Sequence, residues 1–505
     1  MANTFDLTTE GWIPVKVGNR RCEVGLQEAL VGAHRYQELT HSSPLVVAAL
    51  HRLLLAFVHR CFGPEDLSAW LALHKRGVFD AETIDRYLDQ WRPRLQLLDP
   101  ERPFYQCAAL PFESKPPEIL QAERSNYGAP AHLFQHRPDG WCDLMPLSEA
   151  ARHLVALQAF APGGFTPTKS KAVEAAPLNR AALVLVRGTT LFETLMLNLL
   201  VYQPGGAPIP GNAATDLPAW EQDHPACADR RVPYGWLDLL TWQSRRVELR
   251  PTEEHDGIQS VVVVNGTDLD RQEVCDPMVA WKRNPKRGSI PLAFDVQGAV
   301  WRDSHALFRS ADKSIRPLTL GQLGRRELRK AVPPERRLDV SLLGLRGDQA
   351  KILLAREERF ATATRLLADA NLGESLRDSL ALAEEGGVAL RNAVRRLAKA
   401  ALSGADRKPE KNDVENVVSS LGTMDRYWSA LKQDFDAYLA DLGHNEKQAR
   451  DAFSARVRAQ VLRCYESARQ ALGGTARMLR AGAQGEATLR RNLHSLPAVS
   501  DEVSP

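Results

Sequence analysis

Apolar and polar residues alternate from Trp12 to Val17, Gly18-Asn19 supplies a turn, and Cys22-Glu23-Val24 begins the return; the pattern predicts a small β-hairpin. The period then changes. Between Pro44 and Phe62 apolar residues recur at Val47, Leu50, Leu54, Phe57 and Val58, the spacing of a helix face. Glu65 to Trp91 holds one or two further helices, and Leu147 to Phe160 another. Between these, from Asp99 to about Gly140, Pro100, Pro103, Pro111, Pro116, Pro117, Pro130 and Pro138 break any long element. A loop of that length is functional or disordered. Ala161-Pro162-Gly163-Gly164-Phe165-Thr166-Pro167 reads as a tight glycine–proline loop, Leu183 to Val186 as a strand, and Pro204 to Pro218 as a second loop. From Gly235 to about Gln349 short strand patterns dominate: Val247–Arg250, Ser260–Val264 with Asn265-Gly266 as the turn, and Ile290–Val296.

Near Ile352 the character changes again. Between positions 335 and 496 the only proline is Pro409, and helical patterns cover 350–371, 373–403, 410–442 and 446–481, with a short one after 485. Trp428, Leu431, Phe435, Leu439 and Leu442 share one helix face. The expected fold class is α+β: a large mixed N-terminal domain over 1–350, with short antiparallel strands and helices, then a C-terminal helical (four-helix) bundle over 351–505.

Composition narrows the class. A chain of 505 residues, 44% hydrophobic and 25% charged, fits a globular protein and excludes global disorder and collagen. Leu45 to Val58 is interrupted by His51 and Arg52, and Leu191 to Tyr202 carries Glu193 and Asn198. Both are too short and polar to span a bilayer and read as buried helices. The 7 cysteines are scattered with no CxxC, which argues against a disulfide framework or zinc ribbon and suits a reducing cytoplasm. The start lacks the basic-then-apolar order of a signal peptide. Lys+Arg 65 against Asp+Glu 62 gives +3, so nucleic-acid contact must come from local patches, not a diffuse positive coat.

Candidate chemistry is sparse. The sequence has no GxxxxGK[ST], GxGxxG between strand and helix, HExxH or GxSxG, and no catalytic residue, metal or cofactor is assigned. His224, Cys227, His255 and Cys275 are zinc-ligand types at spacings that match no finger, and Asp268, Asp270 and Asp276 read as solvated charges. Basic clusters carry more information. Trp281-Lys282-Arg283-Asn284-Pro285-Lys286-Arg287-Gly288 concentrates charge beside an indole, and Arg325, Arg326, Arg329 and Lys330 form a second cluster. Arg391, Arg395, Arg396 and Lys399 fall on one helix face. Each cation that neutralises a phosphate releases counterions, so a few patches suffice for binding. Arg346-Gly347-Asp348-Gln349-Ala350-Lys351 is a polar turn, and its glutamine is uncharged, planar and long enough to fill space between base pairs or bond to base edges. Three classes stay open: a nucleic-acid-reading subunit, a metal-dependent nuclease, and a helical scaffold or adaptor without nucleic-acid contact.

Several segments together resemble the large subunit of the type I-E CRISPR Cascade complex, the CasA family. They are Gly11-Trp12-Ile13-Pro14-Val15, Arg102-Pro103-Phe104-Tyr105-Gln106, His132-Leu133-Phe134-Gln135-His136, Ala161 to Phe165, and Leu185-Val186-Arg187-Gly188. Leu240-Thr241-Trp242-Gln243-Ser244-Arg245, Asp276-Pro277-Met278 with Trp281-Lys282-Arg283, and Gly347-Asp348-Gln349-Ala350 continue the series in family order. The resemblance implies a non-enzymatic, cytoplasmic subunit, monomeric within a complex of other Cascade subunits and crRNA. Such a subunit reads the protospacer-adjacent motif in double-stranded target DNA through the minor groove. It helps open the duplex to start the R-loop and docks a helicase-nuclease in antiviral defence, while guide pairing reads the remaining sequence.

It also implies roles for particular residues. Gly163, Gly164 and Phe165 match the family's glycine loop, although Thr166-Pro167 follows here where the family carries more glycines. Gln349, between Asp348 and Ala350, matches its wedge glutamine. Lys282 and Arg283 match positions that line the displaced strand. Gln259 stands nearest the family's motif-contacting lysine, with Lys282 or Lys286 as substitutes. Leu133, Phe134 and Gln135 fall in the loop that touches the crRNA handle, and Arg391, Arg395, Arg396 and Lys399 are candidates to track the non-target strand.

Overall fold

The computed structural model describes residues 5–123, 144–164, 174–202, 215–223, 230–270, 276–284, 288–295, 299–308, 314–348, 351–403 and 409–494, with the backbone alone at 283, 284, 348 and 351. The chain divides into two compact units, neither continuous in sequence. One comprises Met1–Val300, Lys313–Pro333 and Leu338–Arg359; the other comprises Trp301–Asp312, Pro334–Arg337 and Phe360–Pro505.

In the first unit, β1 (Ile13–Val17) and β2 (Arg20–Val24) form the expected hairpin; α1 (Leu26–Val31) follows, and β3 (Glu38–Leu39) joins the free edge of β1. Helix α2 (Pro44–Phe62) is apolar on every side and buried without a break from Leu45 to His59, so it is a core helix although its length and composition would also suit a membrane. Its Arg52 forms a buried ion pair with Asp276 at 2.8 Å and donates to Leu239 O at 3.0 Å. Asp276 is therefore a buried structural anchor, not the solvated charge that the sequence suggests. Asp66 and Asp80 cap α3 (Leu67–Arg76) and α4 (Ala81–Trp91) by accepting from Ala69 N and Thr83 N. Helix α5 (Leu147–Phe160) packs on α2.

Strand β4 (Ala182–Arg187) is buried at every position and precedes α6 (Leu191–Asn198). The middle of the chain then supplies β5 (Arg230–Arg231), α7 (Trp236–Leu240), β6 (Arg245–Pro251), β7 (Ile258–Asn265), β8 (Asp268–Leu269), β9 (Trp281–Asn284), β10 (Gly288–Pro291) and α8 (Leu318–Leu323). β6 pairs antiparallel with β7 from Arg245↔Asn265 to Arg250↔Ser260, and β9 pairs with β10. A last hairpin, β11 (Arg337–Asp348) and β12 (Lys351–Ala363), adds to β4 in the order β12-β11-β4. Residues 351–363 are thus a strand, where the sequence pattern reads as a helix. Arg356-Glu357-Glu358-Arg359 has the composition of a helix surface, yet Glu357 faces Ser341 of β11 and Arg187 of β4, and this tertiary pairing overrides local propensity.

The second unit is helical: α9 (Arg365–Ala368), α10 (Ala370–Leu402), α11 (Lys411–Ser420), α12 (Thr423–Leu442), α13 (Glu446–Ala471) and α14 (Ala476–His494). The four long helices form the expected bundle, with α10 packed against α12, α13 and α14 and the short α11 alongside. The α12 face of Trp428, Leu431, Phe435, Leu439 and Leu442 is buried. Tyrosine hydroxyls fasten the helices: Tyr427 donates to Ala383 O at 2.8 Å, and Tyr465 to Gly482 O at 2.7 Å. Trp301 is 1% exposed and lies against Phe435 at 4.6 Å between ring centroids.

Candidate nucleic-acid interface

Strand register brings two predicted segments to one end of β4, and the chain connects a third to that end. β11 runs antiparallel to β4 from Asp339↔Arg187 to Gly344↔Ala182, so Leu345–Asp348 extend past the Ala182 end. That is roughly 13 Å of strand at about 3.3 Å per residue. The ribbon becomes exposed from Arg346, and Leu353 on β12 is 50% exposed. Only positions 349 and 350 separate the two strands, the connection length of a tight hairpin. On the other edge of β4, Leu183 bridges Val279 antiparallel and Val184 N donates to Met278 O, so the chain enters β9 at the same Ala182 end. Lys282 and Arg283 lie on β9, which pairs with β10 from Gly288↔Asn284 to Pro291↔Trp281. The third segment is the return limb of the glycine loop, which runs through residues 174–181 directly into Ala182.

The glycine loop leaves α5. Ala161 N closes the helix on Leu157 O, and Gly163 and Gly164 follow, both half-buried. Gly164 has φ +155°, and a Cβ there would meet nothing within 4 Å. The position therefore offers open main chain in a conformation that side-chain-bearing residues rarely adopt. The loop returns along α5: Ala176 N donates to Ala161 O at 2.9 Å, Leu178 N to Ala159 O at 2.9 Å, and Asn179 Nδ2 to Phe160 O at 2.8 Å.

A charged network fixes the base of the β11–β12 ribbon. Arg187 donates to Ser341 Oγ at 2.6 Å, Glu357 Oε1 at 2.8 Å and Glu38 Oε2 at 3.1 Å. Arg359 adds a bond to Glu357 at 2.6 Å. Burial pushes the Glu357 pKa up, but the bonds and charges of Arg359, Arg187 and Ser341 outweigh it and hold the carboxyl below its usual range.

The remaining predicted residues fall in different places. Gln349, Ala350, Phe165, Leu133, Phe134 and Gln135 lie outside the described residues, as do His224, Cys227, Cys275 and Lys286. The stretch that carries 133–135 is attached at both ends to β7, through Lys115↔Val261 and Met145↔Ile258. Gln259 is exposed at the start of β7 and donates to Pro251 O at 3.1 Å. Arg391, Arg395, Arg396 and Lys399 are exposed along α10 in the second unit, where Arg395 is paired with Glu415 at 2.9 Å. Arg326, Arg329 and Lys330 are exposed in a short 3-10 turn of the first unit.

His41, Glu149 and His153 bring metal-ligand atoms within 4.8 Å of one another, a trio that spacing in the sequence did not reveal. Ser43 N–H donates to His41 Nδ1 at 3.0 Å, so the His41 proton sits on Nε2, which faces Glu149 as a donor. Arg152 also bonds Glu149, at 2.8 Å, and reaches Trp12 O at 2.7 Å. Held by the His41 and Arg152 bonds to Glu149 and flanked by a guanidinium, the trio is a hydrogen-bonded anchor that seats α5, and with it the glycine loop, on the β1–β2 hairpin. Sequence reasoning also gave no role to Arg245, whose side chain reaches both limbs of that loop.

The architecture defines a class: an α+β unit that presents a glycine loop, a basic hairpin and a projecting ribbon at one sheet end, joined in the chain to a helical bundle. The family model of CRISPR-associated protein Cse1 matches residues 6–464. The chain is 34% identical to the CRISPR-associated protein CasA/Cse1 of Thermus thermophilus, over 97% of this chain and 98% of that protein. The solved structure of Thermus thermophilus CasA (Cse1) superposes with a TM-score of 0.84 at 32% identity, covering 98% of this chain and 100% of that one. Thermobifida fusca Cse1 superposes with a TM-score of 0.81 at 26% identity, covering 97% and 98%. A chain of a CRISPR RNA-guided surveillance complex shares the fold, with a TM-score of 0.73 at 20% identity over 96% of this chain and 99% of that one. The chain belongs to the CasA/Cse1 family, as its sequence motifs suggest.

Proposed function

We propose that this chain is the non-catalytic large subunit of a type I-E, crRNA-guided Cascade complex in the cytoplasm. In this reading it recognises the short motif that adjoins a target in duplex DNA, opens the first target pair, and helps recruit the helicase-nuclease that degrades the target. The observation that carries the reading is the convergence at the Ala182 end of β4 of the glycine loop, the Lys282–Arg283 hairpin and the ribbon that ends at 349–350. Main chain at Gly163 and Gly164 fits against the minor-groove floor. That groove shows few distinguishing groups, so several related motifs are accepted. Gln349 enters beside the motif and unstacks the first pair, at a cost of a few kcal/mol that the new contacts offset. Lys282 and Arg283 line the displaced strand. R-loop formation exchanges one duplex for another of similar stability, so localised contacts on a chain of net charge +3 are enough to tip it. Residues 133–135 contact the crRNA handle and a neighbouring subunit, and the exposed cations of α10 follow the non-target strand.

Binding of the assembled crRNA complex to duplexes randomised beside the target tests this. A preferred set of motifs is expected, and Gly164→Val should reduce the preference about tenfold while leaving non-specific affinity unchanged. Equal binding to all motifs would refute motif reading. Cleavage of DNA by the purified chain with Mg²⁺ or Mn²⁺ would support the nuclease reading instead.

A further inference from the structure

We propose that Arg245 is a positioning residue for the glycine loop and sets how sharply the adjoining motif is read; the inference rests on the minor-groove function above. Arg245 opens β6 and is 2% exposed. Its Nη2 donates to Pro162 O at 2.5 Å and to Glu174 O at 3.2 Å, the carbonyls that flank positions 163–173. Its Nη1 donates to Ser244 O at 2.6 Å. The Arg245 backbone is itself fixed from α5: its N–H donates to Gln158 Oε1 at 2.9 Å, and its carbonyl accepts from Gln158 Nε2 at 2.8 Å. Ser244 Oγ completes the joint by donating to Gln158 O at 2.8 Å.

One guanidinium therefore holds both limbs of the loop at a set distance from the β6–β7 sheet. An apolar side chain could fill the same space without desolvating a charge. What arginine adds is a planar fork of fixed geometry that serves two carbonyls at once, which the point charge of lysine does not reproduce. A loop whose ends are held has fewer arrangements to give up on binding DNA. Its glycines then meet the groove in one arrangement.

Arg245→Lys in the complete crRNA complex tests this. The expected result is a loss of about tenfold in preference between the best and worst adjoining motifs, from one lost charge-assisted bond. Affinity for a duplex already melted at the target should be unchanged, as should the salt dependence of non-specific binding. Retention of the full preference overturns the proposal, and so does an equal loss on melted and intact duplexes, since that marks a merely structural role. If the variant does not assemble, hydrogen exchange on the unsubstituted complex decides. The amide of Gly163, in the same peptide unit as the clamped Pro162 carbonyl, should exchange well below free-loop rates, and exchange at free-loop rates overturns the clamp. Gly164→Val run in parallel separates the two claims. If it too leaves the preference intact, minor-groove reading fails; if it abolishes the preference while Arg245→Lys does not, only the role of Arg245 fails.

Discussion

Replacing Arg187 by methionine removes three bonds at the base of the ribbon that carries position 349: to Ser341 at 2.6 Å, Glu357 at 2.8 Å and Glu38 at 3.1 Å. The Arg187 side chain is 8% exposed, so little solvent replaces what is lost. Breaking a buried pair typically costs about 3–5 kcal/mol, because the partner charge stays behind unpaired. Here Glu357 keeps Arg359 at 2.6 Å and Ser341 at 2.8 Å, which places the cost at the lower end, about 3 kcal/mol. A chain of two units does not unfold in one step, so a single melting temperature would mix them. Native-state hydrogen exchange at the β4 and β11 amides isolates the relevant opening. A loss below about 1 kcal/mol in those strands, or an equal loss in α10, would refute the view that this network holds the ribbon.

Acid should weaken the first unit well before neutralisation of its carboxylates. Burial lowers the His51 pKa to about 3 and that of His59 to about 4, from 6.5. The unfolded chain therefore takes up protons that the folded chain refuses, and stability, full above pH 6.5, falls as pH drops toward 4, by roughly 3 kcal/mol for His59. Exchange at α2 amides across that range reads it, and a flat profile would contradict the neutral, buried state. Glu357 adds to the acid limb: its lowered pKa contributes stability above its ordinary value that is lost as pH falls through the folded one. Trp301→Ala should destabilise the helical unit by about 3–5 kcal/mol, read as faster exchange in α12; unchanged exchange would show that the ring adds little to that core. Reversing Arg396 and Lys399 to glutamate in the assembled complex should flatten the slope of log affinity against log salt by about 2, and an unchanged slope removes α10 from the DNA path.

Legibility followed the range of the forces involved. The β1–β2 hairpin, α2 and the α12 face were readable because alternation, turn residues and helix spacing are local properties of the sequence. Strand β12 was not, since Ile352–Arg359 has helix-forming composition and becomes a strand only beside β11. The change in character near Ile352 located most of the bundle but gave no sign that Trp301, far upstream, completes its core. The site divided in the same way. Glycines and glutamine in turns stand out as residue types, whereas Arg245 looks like any strand arginine until Pro162 and Glu174 are seen to meet at its guanidinium. Asp276 was misread for the same reason, because its partner Arg52 is distant in sequence.

Opening of the first target base pair by Gln349 is read most directly by 2-aminopurine fluorescence at that pair, with complexes that carry either the natural residue or Gln349→Ala. Binding should raise the signal with Gln349, from base unstacking, and raise it about 10–100-fold more slowly with alanine at equal non-specific affinity. An identical signal from both complexes would contradict opening by Gln349.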